Sequence, residues 1–402
     1  MRRNLITTFA FLFCFITTAF GQNLNTKSSN YLFVWAGDAD RKESDFLAVI
    51  DVRPSSKRYG KIVTTLPVDA SNTVPHHTEH EMPAGGILFA NGFNAGQTFR
   101  FDLSIPTKPQ LLDSFGAAGE FMHPHSFVRH PNGNALATFQ MRGHHNEEPG
   151  ALVELDPKGK VLRIADAADP KVEKFIRPYS LAVVPALDRV ITTSSDMHEK
   201  DISHVVQVWR YSDFKLLKTV WLPPGKREKD GIDPAEPRVL ADGQTVLVST
   251  FNCSLYQIRN LEQAEPSAEF IHSFSDGDCA LPVVAGNFWV QTLGKDRALV
   301  SLDVSNPAKP VEVSRLVLGE NEFPHWIALE PNGERIIISG GGGALKNRVL
   351  MAKVDSKTGK LSLDEAFRVK DSKQVGINFN RETWQHGKNG GAVPHGAVFS
   401  LP

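Results

Sequence analysis

One unit recurs along this chain and constrains the fold more than any other feature. Its clearest copy, FPHWIALEPNGERIIISGG (323–341), reads as an apolar strand, a Pro-Asn-Gly turn and a second apolar strand. Pro fixes φ, and Asn and Gly accept φ > 0, so the turn has a local cause. A second strand pair follows, NRVLMAKVD and LSLDEAF, joined by SKTGK. Four short strands within roughly 45 residues is the size of one β-propeller blade.

The third strand of the unit, an apolar run ending in Asp, Asn or Arg, occurs seven times: FLAVIDV (46–52), TFRFDL (98–103), ALVELD (151–156), VVQVWR (205–210), SLYQIRN (254–260), ALVSLDV (298–304) and VLMAKVD (349–355). Six copies also carry a complete first and second strand. The seventh is split: NYLFVWAGD (30–38) supplies only a second strand and PHGAVFSLP (394–402) only a first. The expected fold is therefore all-β, a single seven-bladed propeller over 22–402, in which the last strand completes the first blade. Such closure removes open sheet edges. An array of two-sheet sandwiches is the alternative, and it leaves the split copy as a coincidence. The longest stretch without strand character, 372–393, is expected to be a surface loop.

Residues 1–21 read as a secretory signal: Arg2 and Arg3, the apolar run LITTFAFLFCFITTAF, and a small-x-small site at Ala19-Phe20-Gly21. The run is shorter than the ~20 residues of a membrane span. A periplasmic or secreted location without a membrane anchor follows as an expectation. The formal net charge of −1 gives no electrostatic case for nucleic acid. After signal removal two cysteines remain, Cys253 and Cys279; they suffice for one disulfide in an oxidising compartment, but spacing alone does not show that they meet. Otherwise Cys279 is a buried thiol, a nucleophile or a metal ligand.

Aligning the first strands on their turns brings the histidines into register. Pro83, Pro131, Pro185 and Pro331 share one position, and six residues before them stand His77, His125, Tyr179 and His325. PHG places His395 in the same slot; Glu236 (or Ala235) and Cys279 (or Asp278) fill it in the other two blades. First strands line the axial channel, so this register is a ring, and its four histidines fall on adjacent blades. Converging imidazoles suit copper, iron or zinc, with affinity favouring copper. Tyr179 and Glu236 are the candidate catalytic side chains of the ring. His76 and His123 flank it, and strand alternation aims them elsewhere. Glu79 is expected to be an exposed carboxylate. Loop residues His144, His145, His198 and His204 lie toward the channel mouth. The glycine run GGGGALKN lacks the strand–loop–helix setting of a phosphate site.

The same residues carry a family resemblance. SDFLAVIDVRPSSKRYGKIVTTLPV followed by VPHHTEHEMP is similar to the opening of the selenium-binding protein family, whose bacterial members include the methanethiol oxidases. That family has a "DYLATVDV…YGKVI…LP" segment and then a paired His-His. MHPHSFVRHPNGNALATF is similar to its next histidine strand and PHGAVFSLP to its closing one. Where some members carry CxxC, this chain reads EMPAGG. The resemblance implies a seven-bladed propeller and a copper site on His77, His125 and His395, with His76 as partner. It also implies oxidation of a small sulfur compound, such as a thiol, by O2 to an aldehyde, sulfide and peroxide. Two other readings compete: a non-catalytic propeller that binds a ligand or a protein, and a lactonase-type hydrolase, which would hold a hard cation such as calcium through carboxylates.

Overall fold

The computed structural model describes residues 27–402 except 144–147, 173–175, 199–201, 276–277 and 371. The expected signal segment and His144 and His145 lie outside the described residues. The chain is a seven-bladed β-propeller, each blade a four-stranded antiparallel sheet. Blade 1 is built from both ends of the chain: Ala392–Phe399 is innermost, followed outward by Tyr31–Asp38, Phe46–Asp51 and Ile62–Pro67. The innermost strands of blades 2 to 7 are Pro75–Thr78, Phe121–Arg129, Pro178–Val184, Pro234–Val239, Cys279–Ala285 and Glu322–Leu329.

The apolar clusters lie between neighbouring blades. Phe33, Trp35, Leu47, Leu88, Phe99 and Phe101 fill the space between blades 1 and 2, and Leu136, Leu152, Leu181 and Trp209 that between blades 3 and 4. Middle strands are buried on both faces, which is why Phe46–Asp51 is buried throughout and reads as a continuous apolar run. Outermost strands alternate, as in Val161–Asp166, because one face meets solvent.

Segment 372–393 is a clasp as well as a surface loop. Ile377–Asn378 adds a short strand to blade 7. Trp384 packs on Phe46 of blade 1 at 4.5 Å, and Gln385 donates to the Ile62 carbonyl at 3.0 Å. The seam is tied again where Arg335 of blade 7 pairs with Glu330 and donates to the Val52 carbonyl of blade 1. The glycine run is also more ordered than a free loop: the second strand of blade 7 extends through it to Gly343.

Each of the seven innermost strands carries a register shift in its first half, that of blade 7 two. A bulge leaves backbone groups without ladder partners, and buried ones need replacements. Polar side chains on the second strands supply them and reach across to the next blade. Thr138 accepts from the Ser126 N–H and donates to the Tyr179 carbonyl. Thr193 accepts from the Ser180 N–H and donates to the Ala235 carbonyl. Ser339 donates to the His395 carbonyl.

Cys253 and Cys279 form a disulfide across consecutive blades, with Cα atoms 5.0 Å apart. This settles the thiol question: Cys279 is a staple, neither a nucleophile nor a metal ligand. Replacing both cysteines with alanine is predicted to lower unfolding free energy by about 3 kcal/mol for a loop of this length, as read by guanidinium denaturation under oxidising conditions.

Candidate metal centre

The bulges build the site. In five blades the residue after the bulge proline is His76, His125, Tyr179, His325 or His395, following Pro75, Pro124, Pro178, Pro324 and Pro394. Sheet register thus puts His76, and not His77, in line with the other three histidines. Blade 2 has a short innermost strand and an irregular segment after it, so counting back from Pro83 lands one residue late. In blade 5 the same slot holds Ala235, with Glu236 next; in blade 6 it holds Ala280, one beyond Cys279.

His76, His77 and His125 each bring a ring nitrogen within 4.8 Å of the other two. His76 therefore faces the cluster, contrary to what alternation implies, because a bulge aims two consecutive side chains at one side. The Nε2 atoms of His76 and His125 are 3.1 Å apart. Two imidazole nitrogens on one ion at metal–nitrogen distances near 2.0–2.1 Å lie about 2.8–3.4 Å apart, so this pair fits a shared ion. His77 Nε2 is buried and has no hydrogen-bond partner within the protein; a cation would satisfy it. His395 packs 4.4 Å from His76, and His325 5.0 Å from His395, both half-buried. The cluster is able to coordinate a metal ion through three histidines, with two more at its edge.

Tautomers follow from the partners, since a carbonyl only accepts. His125 Nδ1 donates to the Tyr179 carbonyl at 2.7 Å, and His395 Nδ1 donates to the His76 carbonyl at 2.9 Å. Each leaves Nε2 with a free lone pair. Burial holds the imidazoles neutral. It lowers His125 to about 3, partly offset by the Tyr179 carbonyl. Burial and the neighbouring His325 lower His395 to about 3. His325 is lowered to about 4 by burial, with Asp278 opposing. Burial, then the other imidazoles, pushes His76 and His77 well below the usual histidine range. Neutral imidazole is the metal-binding form.

Tyr179 lies 4.1 Å from His125. Burial, then the Glu236 charge, pushes its phenol well above the ordinary value. Glu236 is fully buried; one oxygen accepts from Ser180 Oγ and Arg238, each at 2.7 Å, and Oε1 has no protein partner. Glu79 is buried, not exposed, and pairs with Arg129 at 2.8 Å. His198 reaches the mouth, 5.8 Å from His123. His204 lies away from it, stacked on Trp221.

Asn91 is the site residue that sequence reasoning missed. Its Oδ1 accepts from the His77 N–H at 2.6 Å, and its Nδ2 donates to the Pro124 and His125 carbonyls at 2.9 and 3.1 Å. One buried amide thus sets the spacing of the strands that carry all three clustered imidazoles. Gly396 has a matching role: a Cβ there would come within 2.6 Å of the His76 carbonyl and 2.7 Å of the Thr78 nitrogen. Only glycine lets the closing strand approach blade 2 this closely.

No family model matches the chain. A methanethiol oxidase from a Hyphomicrobium species is 25% identical over 352 residues, covering 78% of this chain and 76% of that protein. A hypothetical selenium-binding protein from Sulfolobus tokodaii superimposes with a TM-score of 0.74 at 14% identity, over 94% of this chain and 95% of that one. A periplasmic gluconolactonase from Pseudomonas aeruginosa gives a TM-score of 0.64 at 13% identity, over 92% and 99%. At such identities the structural likeness is one of fold.

Replacing Asn91 with alanine leaves three buried backbone groups without partners. The variant is predicted to lose about 2–4 kcal/mol of stability, whereas Asn94→Ala, on the exposed turn nearby, changes it by less than about 0.5 kcal/mol. Urea denaturation of the two variants side by side checks this.

Proposed function

We propose that this chain, similar to a methanethiol oxidase at 25% identity and to a selenium-binding protein in fold, is a copper-dependent oxidoreductase acting on a small sulfur compound in the periplasm or outside the cell. The observation that carries the reading is His77 Nε2, buried without a partner beside the closely spaced His76 and His125 nitrogens. His76, His77 and His125 would hold the ion, with His325 and His395 as further donors. Copper bound there would supply one-electron redox chemistry. Iron or zinc would fit the same donors, but affinity orders copper first.

The chain's own residues have separable tasks. The Tyr179 and His76 carbonyls fix the tautomers of His125 and His395, so both present Nε2. Tyr179 stays a protonated phenol and packs against His125. Glu236 keeps an unpaired carboxylate oxygen on the neighbouring blade, which suits it to take up the proton that a thiol gives up on binding. In the overall reaction a thiol, O2 and water give an aldehyde, sulfide and hydrogen peroxide, which balances in atoms and electrons. The Cys253–Cys279 disulfide fits an oxidising compartment, and no helix among the described residues is long and apolar enough to cross a membrane.

A lactonase-type reading is weaker, because a hard cation prefers carboxylate and carbonyl oxygens and the clustered donors are imidazoles. A purely binding propeller predicts that thiols are left unchanged. The expected results are about one copper per chain, at least a tenfold loss of copper occupancy in His77→Ala and His125→Ala, and formation of formaldehyde, sulfide and peroxide from methanethiol by the wild type alone. Elemental analysis and product assays read these directly. Full copper retention in both variants would remove the assignment.

A further inference from the structure

The histidine cluster is obstructed on one side. Beyond it along the innermost strands, His80 of blade 2 stacks on Trp326 of blade 7, 4.9 Å apart and 7° from parallel. Arg238 of blade 5 reaches over to donate to His80 Nε2 at 3.2 Å. Blades 2 and 5 are not neighbours in the ring, so this bond crosses the axis. Three side chains from three blades thus stand across the channel on that side. Trp326 is fully buried and lies edge-on to His77 at 4.9 Å.

On the opposite side lie the loops that join second and third strands. There Phe93 follows the second strand of blade 2 directly, and its ring lies against four imidazoles. Its centroid is 5.7 Å from His76 and 6.2 Å from His125, both in the cluster, and 5.6 Å from His123 and from His198 at the mouth. Phe93 is partly exposed, so one face of the ring meets solvent. Its backbone is pinned independently of the side chain. The N–H donates to the Val74 carbonyl at 2.9 Å, and its own carbonyl accepts from the Gly96 N–H at 3.1 Å and from His123 Nδ1 at 3.2 Å. A ring on a fixed backbone cannot withdraw by moving the loop; it can only turn about its own torsions.

We propose that Phe93 is the specificity-determining side chain of this site: it admits small ligands with short apolar tails to the cluster and rejects bulky ones. The proposal rests on the metal-dependent reading above and concerns which ligands reach that site. An aromatic wall favours an apolar tail over a charged one, and the pinned ring limits its bulk.

The test uses metal-binding probes of two sizes, so it does not depend on turnover. Imidazole and 4-phenylimidazole are titrated into copper-loaded wild type, Phe93→Ala and Phe93→Leu, followed by the visible absorption of the metal. Wild type is expected to bind imidazole about tenfold or more tightly than the phenyl derivative, Phe93→Ala to bring the two within about threefold, and Phe93→Leu to fall between. All three should hold equal copper. Unchanged selectivity in Phe93→Ala, or loss of its copper, would overturn the proposal. Size selection that follows residue 93 in a protein that oxidises no thiol would leave the gate standing and remove the oxidase reading. A wild type that takes up no copper would remove both.

Discussion

The bulge at the start of each innermost strand is the constraint on which the rest of this propeller depends. It turns two successive side chains toward the axis and breaks the ladder where the blades crowd together. The backbone groups it frees are buried, so each must find a partner. The partners are polar side chains on the second strands, namely Asn91, Thr138, Thr193 and Ser339, and most reach a carbonyl in the next blade. The same feature therefore does two things. It links neighbouring blades around the ring, and it presents side chains to the channel at one height. Histidine fills that position in four blades, all consecutive counting across the seam.

Much of this was legible in the sequence. Blade number and the split first blade followed from a repeat whose strands are apolar because both faces are covered. The ring of histidines was visible too, but its register in blade 2 was not. Counting from the turn assumed equal strand lengths, whereas Pro75–Thr78 is short and the following residues are irregular. A proline opens the bulge in six of the seven blades and was the better anchor: Pro75, Pro124, Pro178, Pro234, Pro324 and Pro394 all mark it. Asn91 escaped notice because a lone asparagine in an apolar strand looks like an exception. Set beside Thr138, Thr193 and Ser339 it is one member of a series. The disulfide depended on a juxtaposition of two consecutive blades that spacing alone does not reveal.

The cluster owes its chemistry to burial balanced by neutral partners. An imidazole in this setting cannot hold a proton cheaply, so the histidines remain neutral and their lone pairs remain available. Backbone carbonyls then choose which nitrogen is exposed. No carboxylate bonds directly to His76, His77 or His125 among the described contacts, so their orientation rests on the bulges, on Asn91, and on neutral partners such as the Tyr179 carbonyl and Ser126 Oγ. A change in blade spacing is thus a change at the site, and the closing strand, through Gly396 and His395, is part of both.

The most direct test of this account is an anomalous diffraction map of crystals grown from copper-loaded protein. The account predicts one peak on the axis, bonded to ring nitrogens of His76, His77 and His125. A peak elsewhere, for instance at the surface-facing His204, or an empty axis in protein that carries copper, would contradict it.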